Sequence, residues 1–244
     1  MYGEFAYIYD DLMTDVDYKA WYLYIESIFN RFHHKPKNIL ELACGTGNLT
    51  YYLANARYDL TCIDISPDML SIAYNKLTRF KNVKLLNQNM INFTINQRFD
   101  AIISACDSIN YIEDEMDLLN TFRNVKKHLK PGGMFIFDIN SYYKLRYIIG
   151  NNTFVEDRED IFYTWQNYFD EQNSIAEFYL TFFVKKEGGK YIRFDETHIE
   201  RAYRIEEINY LLEKASFDTI YCCDEFSFEK PKDRSERITF IAIA

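Results

Sequence analysis

One stretch of the 244-residue chain limits its fold more than any other: Ile39-Leu40-Glu41-Leu42-Ala43-Cys44-Gly45-Thr46-Gly47-Asn48-Leu49-Thr50. A short apolar run carrying one acid stops at small residues and resumes with helical spacing. That is the pattern of a strand, a tight turn and a helix that together cradle a nucleotide-like ligand. Without a β-carbon, Gly45 and Gly47 accept backbone angles closed to most residues and let a ligand approach the main chain. Glu41 bears on the ligand's charge. A pyrophosphate over this loop would meet a carboxylate, whereas a cationic ligand would be attracted. Thr50 also stands where the dinucleotide pattern asks for a third glycine or alanine.

The strands that follow support a nucleoside ligand. Leu60-Thr61-Cys62-Ile63-Asp64-Ile65 is an apolar strand ending in an acid, and Ser66-Pro67-Asp68 supplies a cap and a first-turn proline for the next helix. A carboxylate at the Asp64 position can accept both ribose hydroxyls of a nucleoside, so it does not by itself choose between ligands. Val83 to Met90 reads as a third strand running into a polar turn, and Phe99 to Tyr111 as a fourth with a polar loop at its carboxyl end. Met116, Leu118, Leu119, Phe122, Val125 and Leu129 mark a helix stopped by Lys130-Pro131-Gly132-Gly133, and Met134 to Asn140 is a fifth strand. Repeated strand and helix alternation predicts a doubly wound α/β sheet.

Beyond Tyr142 the period changes. Ile161 to Phe169, Ile175 to Lys185 and Tyr191 to His198 alternate as antiparallel strands, joined by the turns Asp170 to Ser174 and Glu187 to Lys190. Helical spacing returns at Ile205, Ile208, Leu211, Leu212 and Ala215, and Phe217 to Phe226 with Ile238 to Ile243 read as a closing strand pair. The expected division is an N-terminal helix and α/β core over 1–141, an antiparallel insertion covering the substrate over 142–203, and a return to the core over 204–244.

Glu41 to Gly47 resembles the first motif of the Rossmann-like, class I S-adenosylmethionine-dependent methyltransferases, with Ala43 replacing the more usual first glycine. Tyr2-Gly3-Glu4-Phe5-Ala6-Tyr7-Ile8-Tyr9-Asp10-Asp11-Leu12-Met13 resembles the N-terminal segment of a group of small bacterial members. The Leu129 to Gly133 transition and the return through Glu196 to Tyr203 are similar to the family too. The resemblance implies a mostly parallel seven-stranded sheet, S-adenosylmethionine as donor and S-adenosylhomocysteine as product. It implies donor contacts from Glu41, Ala43, Cys44, Gly45, Thr46 and Gly47 of the loop, and from Asp64, Ile65 and Met69 around the second strand. It also implies contacts from Asn89 and Met90 after the third strand, from Ala105 and Cys106 after the fourth, and an aromatic cover from Tyr2 and Tyr9. Asn89 departs from the family's common acid, yet its amide oxygen can accept the same hydrogen bond. Neither an Asn-Pro-Pro-Tyr nor a Pro-Cys sequence is present, so the pattern of base-amine and cytosine C5 enzymes is missing and Cys106 is not read as a nucleophile.

Methyl transfer from a sulfonium is an in-line displacement with a neutral leaving group, so positioning does much of the work and a base is optional. Candidates at the pocket edge are Asp107, Tyr111, Asn140, His198 and Arg201, none of them assignable as a catalytic base from sequence. Regular alternation puts His198 and Arg201 on opposite faces. His198 next to Glu196 and Glu200, and Arg201 as an ion-pair residue, also have ready structural readings.

Charge narrows the acceptor. Asp and Glu number 37 against 28 Lys and Arg, a net charge of −9, and no extended basic run offers a broad nucleic-acid footprint. A small-molecule acceptor methylated at oxygen or nitrogen is favoured, with RNA or protein as alternatives; assembly state is left open. Five cysteines without a Cys-x-x-Cys pair or a histidine at zinc spacing predict free thiols, no metal and a cytoplasmic setting, and no membrane-spanning or signal-like stretch is seen. The rival readings are an NAD-linked oxidoreductase and a non-catalytic cofactor-binding protein.

Overall fold

The computed structural model describes residues 3–244. Two helices come first, α1 (Gly3–Leu12) and α2 (Tyr18–Arg31). The core then alternates through β1 (Asn38–Leu42), α3 (Asn48–Asn55), β2 (Asp59–Asp64), α4 (Pro67–Leu77), β3 (Val83–Asn87), β4 (Phe99–Ser104), α5 (Glu115–His128) and β5 (Leu129–Asn140). An insertion of β6 (Thr153–Asp157), β7 (Ile161–Asp170), β8 (Ile175–Lys185) and β9 (Tyr191–Arg201) precedes α6 (Ile205–Lys214), β10 (Thr219–Asp224) and β11 (Arg237–Ile243).

Local chemistry sets the helix starts. Asp17 accepts from the Ala20 amide at 2.8 Å to open α2, Ser66 accepts from the Met69 amide at 3.2 Å to open α4, and Asp114 accepts from the Met116 amide at 2.8 Å to open α5. Pro67 takes the first turn of α4, where its missing N–H goes unmissed.

The sheet runs in the order β10-β11-β5-β4-β1-β2-β3, parallel except for β11, which is antiparallel to both neighbours. The order reverses between β1 and β4, so the crevice outside their carboxyl ends is where an open α/β sheet binds its ligand. One face is closed by α5 and α6 through Phe122, Phe135, Phe137 and Phe240; α2 and α3 close the other through Ile25, Ile28, Phe29 and Leu53.

Three elements differ from the sequence reading. Lys130 to Gly133, expected as a turn, belongs to β5, because Gly132 donates to the Ala244 carbonyl at 2.7 Å and Ala244 donates back to Gly133 at 2.8 Å. The insertion has four strands instead of three: β6 is exposed at every position, so no burial alternation marks it. Strand β9 continues to Arg201, three residues past the expected end.

The insertion is a separate antiparallel meander, β6-β7-β8-β9, laid over α1. Phe5, Ala6 and Ile8 of α1 pack between Met69 of α4 and Ile161, Phe182 and Val184 of the insertion. Arg158, in the β6–β7 turn, donates to the Asp11 and Leu12 carbonyls at 2.8 and 3.2 Å, capping the carboxyl end of α1 with a cation. No described helix is long and apolar enough to cross a membrane.

Phe182 is the hub of this contact, fully buried with ring centroids 5.5 Å from Phe5, 5.3 Å from Tyr163 and 5.1 Å from Phe194. Phe182→Ala is expected to cost about 3–5 kcal/mol of local stability. Hydrogen exchange should then lose protection in residues 3–12 and the insertion while β1 and β2 keep theirs; uniform loss across the sheet would show that the insertion and core open as one unit.

Candidate active site

The loop between β1 and α3 takes three left-handed steps, with φ of 51° at Ala43, 54° at Gly45 and 78° at Gly47. The two glycines do different jobs. A β-carbon on Gly47 would lie 2.8 Å from Leu77 Cδ1 and 3.3 Å from Ala73 Cβ, so Gly47 lets α4 pack against the loop. One on Gly45 would meet nothing within 4 Å, because Gly45 faces open space. Asp64, at the tip of β2, fixes this shape: Oδ2 accepts from the Gly45 amide and Oδ1 from the Ser66 amide, both at 2.8 Å. Burial pushes its carboxyl up, while the two amides favour the charged form.

Beside the loop lies an open cleft. Glu41, Ala43, Cys44, Gly45 and Thr46 form one wall, Ala105, Cys106 and Ser108 after β4 another, and Tyr9 and Tyr18 the cover. Asn48 and Leu49 at the start of α3 complete it. The cover is tied to the loop by Asp10, which accepts from Thr46 Oγ1 at 2.7 Å, Asn48 Nδ2 at 2.9 Å and Lys76 Nζ at 2.7 Å. Glu41 is only 3% exposed and accepts from Thr50 Oγ1 at 2.6 Å. Burial pushes its carboxyl up to about 7.

Of the expected donor contacts, Tyr9, Glu41, Ala43, Cys44, Gly45, Thr46, Ala105 and Cys106 meet at this cleft. Gly47 and Asp64 are not among the lining residues; they hold the shape of the loop that forms the wall. Ile65 is 58% exposed past the end of β2, and Met69 is buried beneath α1. Asn89 spends its amide oxygen on the Ile91 amide at 2.9 Å, closing a local turn in which Met90 sits. Tyr2 lies outside the described residues. Tyr18, Asn48, Leu49 and Ser108 were not foreseen; Tyr18 directly follows the Asp17 helix cap, a position a cap-based reading could have placed near the cover.

The five pocket-edge candidates separate. Asp107 is held by Arg237 Nη1 at 2.7 Å. Arg201 turns away, donating to the Glu113 carbonyl at 3.1 Å and pairing with Glu207 at 3.3 Å. Asn140 is buried, donating to Glu200 Oε2 and accepting from Lys144 Nζ, each at 3.0 Å. His198 and Tyr111 come together, their rings perpendicular with centroids 6.0 Å apart, and Phe5 lies 5.4 Å from His198. Because Phe5 in turn meets Tyr9 at 5.7 Å, a line of rings runs from the cleft to His198. Burial lowers the His198 imidazole to about 4, so the ring is neutral at pH 7.

Residues 39–133 match the methyltransferase domain family model. The chain is 36% identical to the methyltransferase-family protein YqeM of Bacillus subtilis (strain 168), over 99% of this chain and 96% of that one. The crystal structure of an S-adenosylmethionine-dependent methyltransferase from Clostridium acetobutylicum ATCC 824 superposes with a TM-score of 0.90 at 42% identity, covering 99% of this chain and 98% of that one. This chain belongs to the class I S-adenosylmethionine-dependent methyltransferases. The methyltransferase also matches, at 26% identity over 43% of each chain, the dTDP-3-amino-3,4,6-trideoxy-alpha-D-glucopyranose N,N-dimethyltransferase of Streptomyces venezuelae.

The residues at the cleft suit the donor. Gly45 faces open space where a ligand can approach the main chain, and the buried Glu41 carboxyl lies in the cleft lining, where its charged form would be a countercharge to a cation. Among the described residues no group of His, Cys, Asp and Glu could hold a metal ion.

Glu41 gives a pH test. A sulfonium nearby favours its charged form, which below its value of about 7 must first lose a proton. The ratio of S-adenosylhomocysteine to S-adenosylmethionine dissociation constants is therefore expected to rise from pH 6 to pH 8, by on the order of tenfold, and to flatten in Glu41→Gln. Because both ligands share the same ammonium, a flat ratio in the wild type would remove Glu41 from the sulfonium's surroundings.

Proposed function

We propose that the methyltransferase seats its donor in the cleft between the glycine loop and the turn after β4, under Tyr9 and Tyr18, and methylates an amine nitrogen of a small polar acceptor. The acceptor enters between α1, the turn after β4 and the inner face of β9. The observation that carries this reading is the placement of His198, packed between Phe5 and Tyr111 at the end of the ring line that starts at Tyr9 in the cleft.

The bound donor supplies a methyl group on a positively charged sulfur. His198, uncharged at pH 7, accepts an N–H of the acceptor and leaves its lone pair free to face the methyl. A histidine held at about 4 is too weak a base to ionise a hydroxyl but serves as a hydrogen-bond acceptor for an amine. Glu200, two residues on along β9, has its carboxyl pushed up by burial, which disfavours its charged form. Such an edge favours an uncharged amine over an ammonium, and only the uncharged form carries the lone pair. Tyr111 and Phe5 hold the imidazole in place.

Incubation with radiolabelled donor and matched amino and hydroxy sugars, alongside RNA and protein fractions of a cell extract, is expected to label the amines. Labelling confined to hydroxyl compounds, RNA or protein would contradict the reading. With a labelled amine in hand, His198→Ala should lower kcat about 10²-fold while S-adenosylhomocysteine affinity stays within twofold.

A further inference from the structure

Cys106 and Asp107 are successive non-glycine residues in the left-handed region, with φ of 59° and 55°. Residues with a β-carbon rarely adopt that conformation singly, and two in a row need surroundings that hold them there. The holding group comes from the far end of the chain. Arg237, the first residue of β11, donates from Nη1 to Asp107 Oδ1 at 2.7 Å and also binds Asp138 Oδ2. The same Asp138 oxygen accepts from the Asp107 backbone amide at 3.0 Å, so one carboxylate grips the turn through its main chain and through the arginine. Glu225 pairs with Arg237 Nε at 3.3 Å, and the Trp21 ring lies 5.8 Å from the guanidinium. Asp138 is fully buried and the Arg237 side chain is 14% exposed, so the cluster is screened from water. Within the turn, Ser108 Oγ donates to the Ala105 carbonyl at 2.9 Å and the Asn110 amide to the Asp107 carbonyl at 2.9 Å.

We propose that Arg237 is a positioning residue for methyl transfer: through Asp107 and Asp138 it holds the Ala105–Ser108 turn in the left-handed shape that forms one wall of the donor cleft. The proposal rests on the donor seat described above. It also gives Asp107 a structural role, with its Oδ1 engaged by the guanidinium. An arginine suits the task better than a lysine, since its planar fork presents several N–H groups in fixed directions to more than one carboxylate.

Two readouts, neither needing the acceptor, test the proposal: alkylation of Cys106 by iodoacetamide, followed by mass spectrometry, and calorimetric binding of S-adenosylhomocysteine. The wild-type thiol, part-buried in the turn, should react slowly and be protected by S-adenosylhomocysteine. Arg237→Met should raise the Cys106 rate at least tenfold and weaken S-adenosylhomocysteine at least fivefold, while Cys222 on β10 keeps its wild-type rate. Arg237→Lys should recover part of both effects. Asp107→Asn, a smaller perturbation, should shift both readouts in the same direction and serves if Arg237→Met does not fold. Rates and affinities within twofold of wild type in a folded variant would overturn the proposal. Faster alkylation with unchanged affinity would show that Arg237 holds the turn but that the turn is no wall of the donor seat. Weaker affinity with unchanged alkylation would show that Arg237 acts on the donor by some other route, and would overturn it as well.

Discussion

The carboxylate of Asp64 joins the two loops at the carboxyl edge of the sheet. Its oxygens bind the amide of Gly45 in the glycine loop and the amide of Ser66 at the start of α4, so the tips of β1 and β2 are locked at the point where the sheet order reverses. Asp64 holds the left-handed Gly45 step between those at Ala43 and Gly47, and this loop forms one wall of the cleft. Buried carboxylates are disfavoured unless hydrogen-bonded, and two charge-assisted amide bonds meet that need.

The remaining walls are brought to this fixed loop by groups from distant parts of the chain. Asp10 ties α1 to Thr46, Asn48 and Lys76, and Arg158 ties the end of α1 to the insertion. Each of these bonds joins the cover to another layer. Phe5 packs against Phe182 and His198 at once, so the helix that covers the cleft also contacts β8 and β9 of the insertion. In the proposed arrangement donor and acceptor regions share this one helix, so a change in the cover reaches both.

What could be read from the sequence was what short-range pattern encodes. The strand, small-residue turn and helix around Gly45, the acid closing β2 and the Ser66-Pro67 cap all lie within one turn or one strand, where periodicity and capping chemistry are strong. Strand β6 carried no such signal because all five of its residues are exposed. Pro131-Gly132-Gly133 reads as a breaker, yet hydrogen bonds to the C-terminal Ala244 draw it into β5. Asp107 invited a catalytic reading because its partner Arg237 is 130 residues away, a distance no local pattern spans. His198 was legible as a strand histidine beside two glutamates; that its ring faces Phe5 and Tyr111 follows from how the insertion folds back over α1.

The central claim is that the methyl donor lies between the glycine loop and the turn after β4, its ribose at Asp64 and the phenols of Tyr9 and Tyr18 above it. A crystal structure with S-adenosylhomocysteine tests this most directly. The account predicts density against Gly45 and Cys106, with ribose hydroxyls on the Asp64 carboxylate. Ligand density elsewhere, with this cleft holding only solvent, would contradict it.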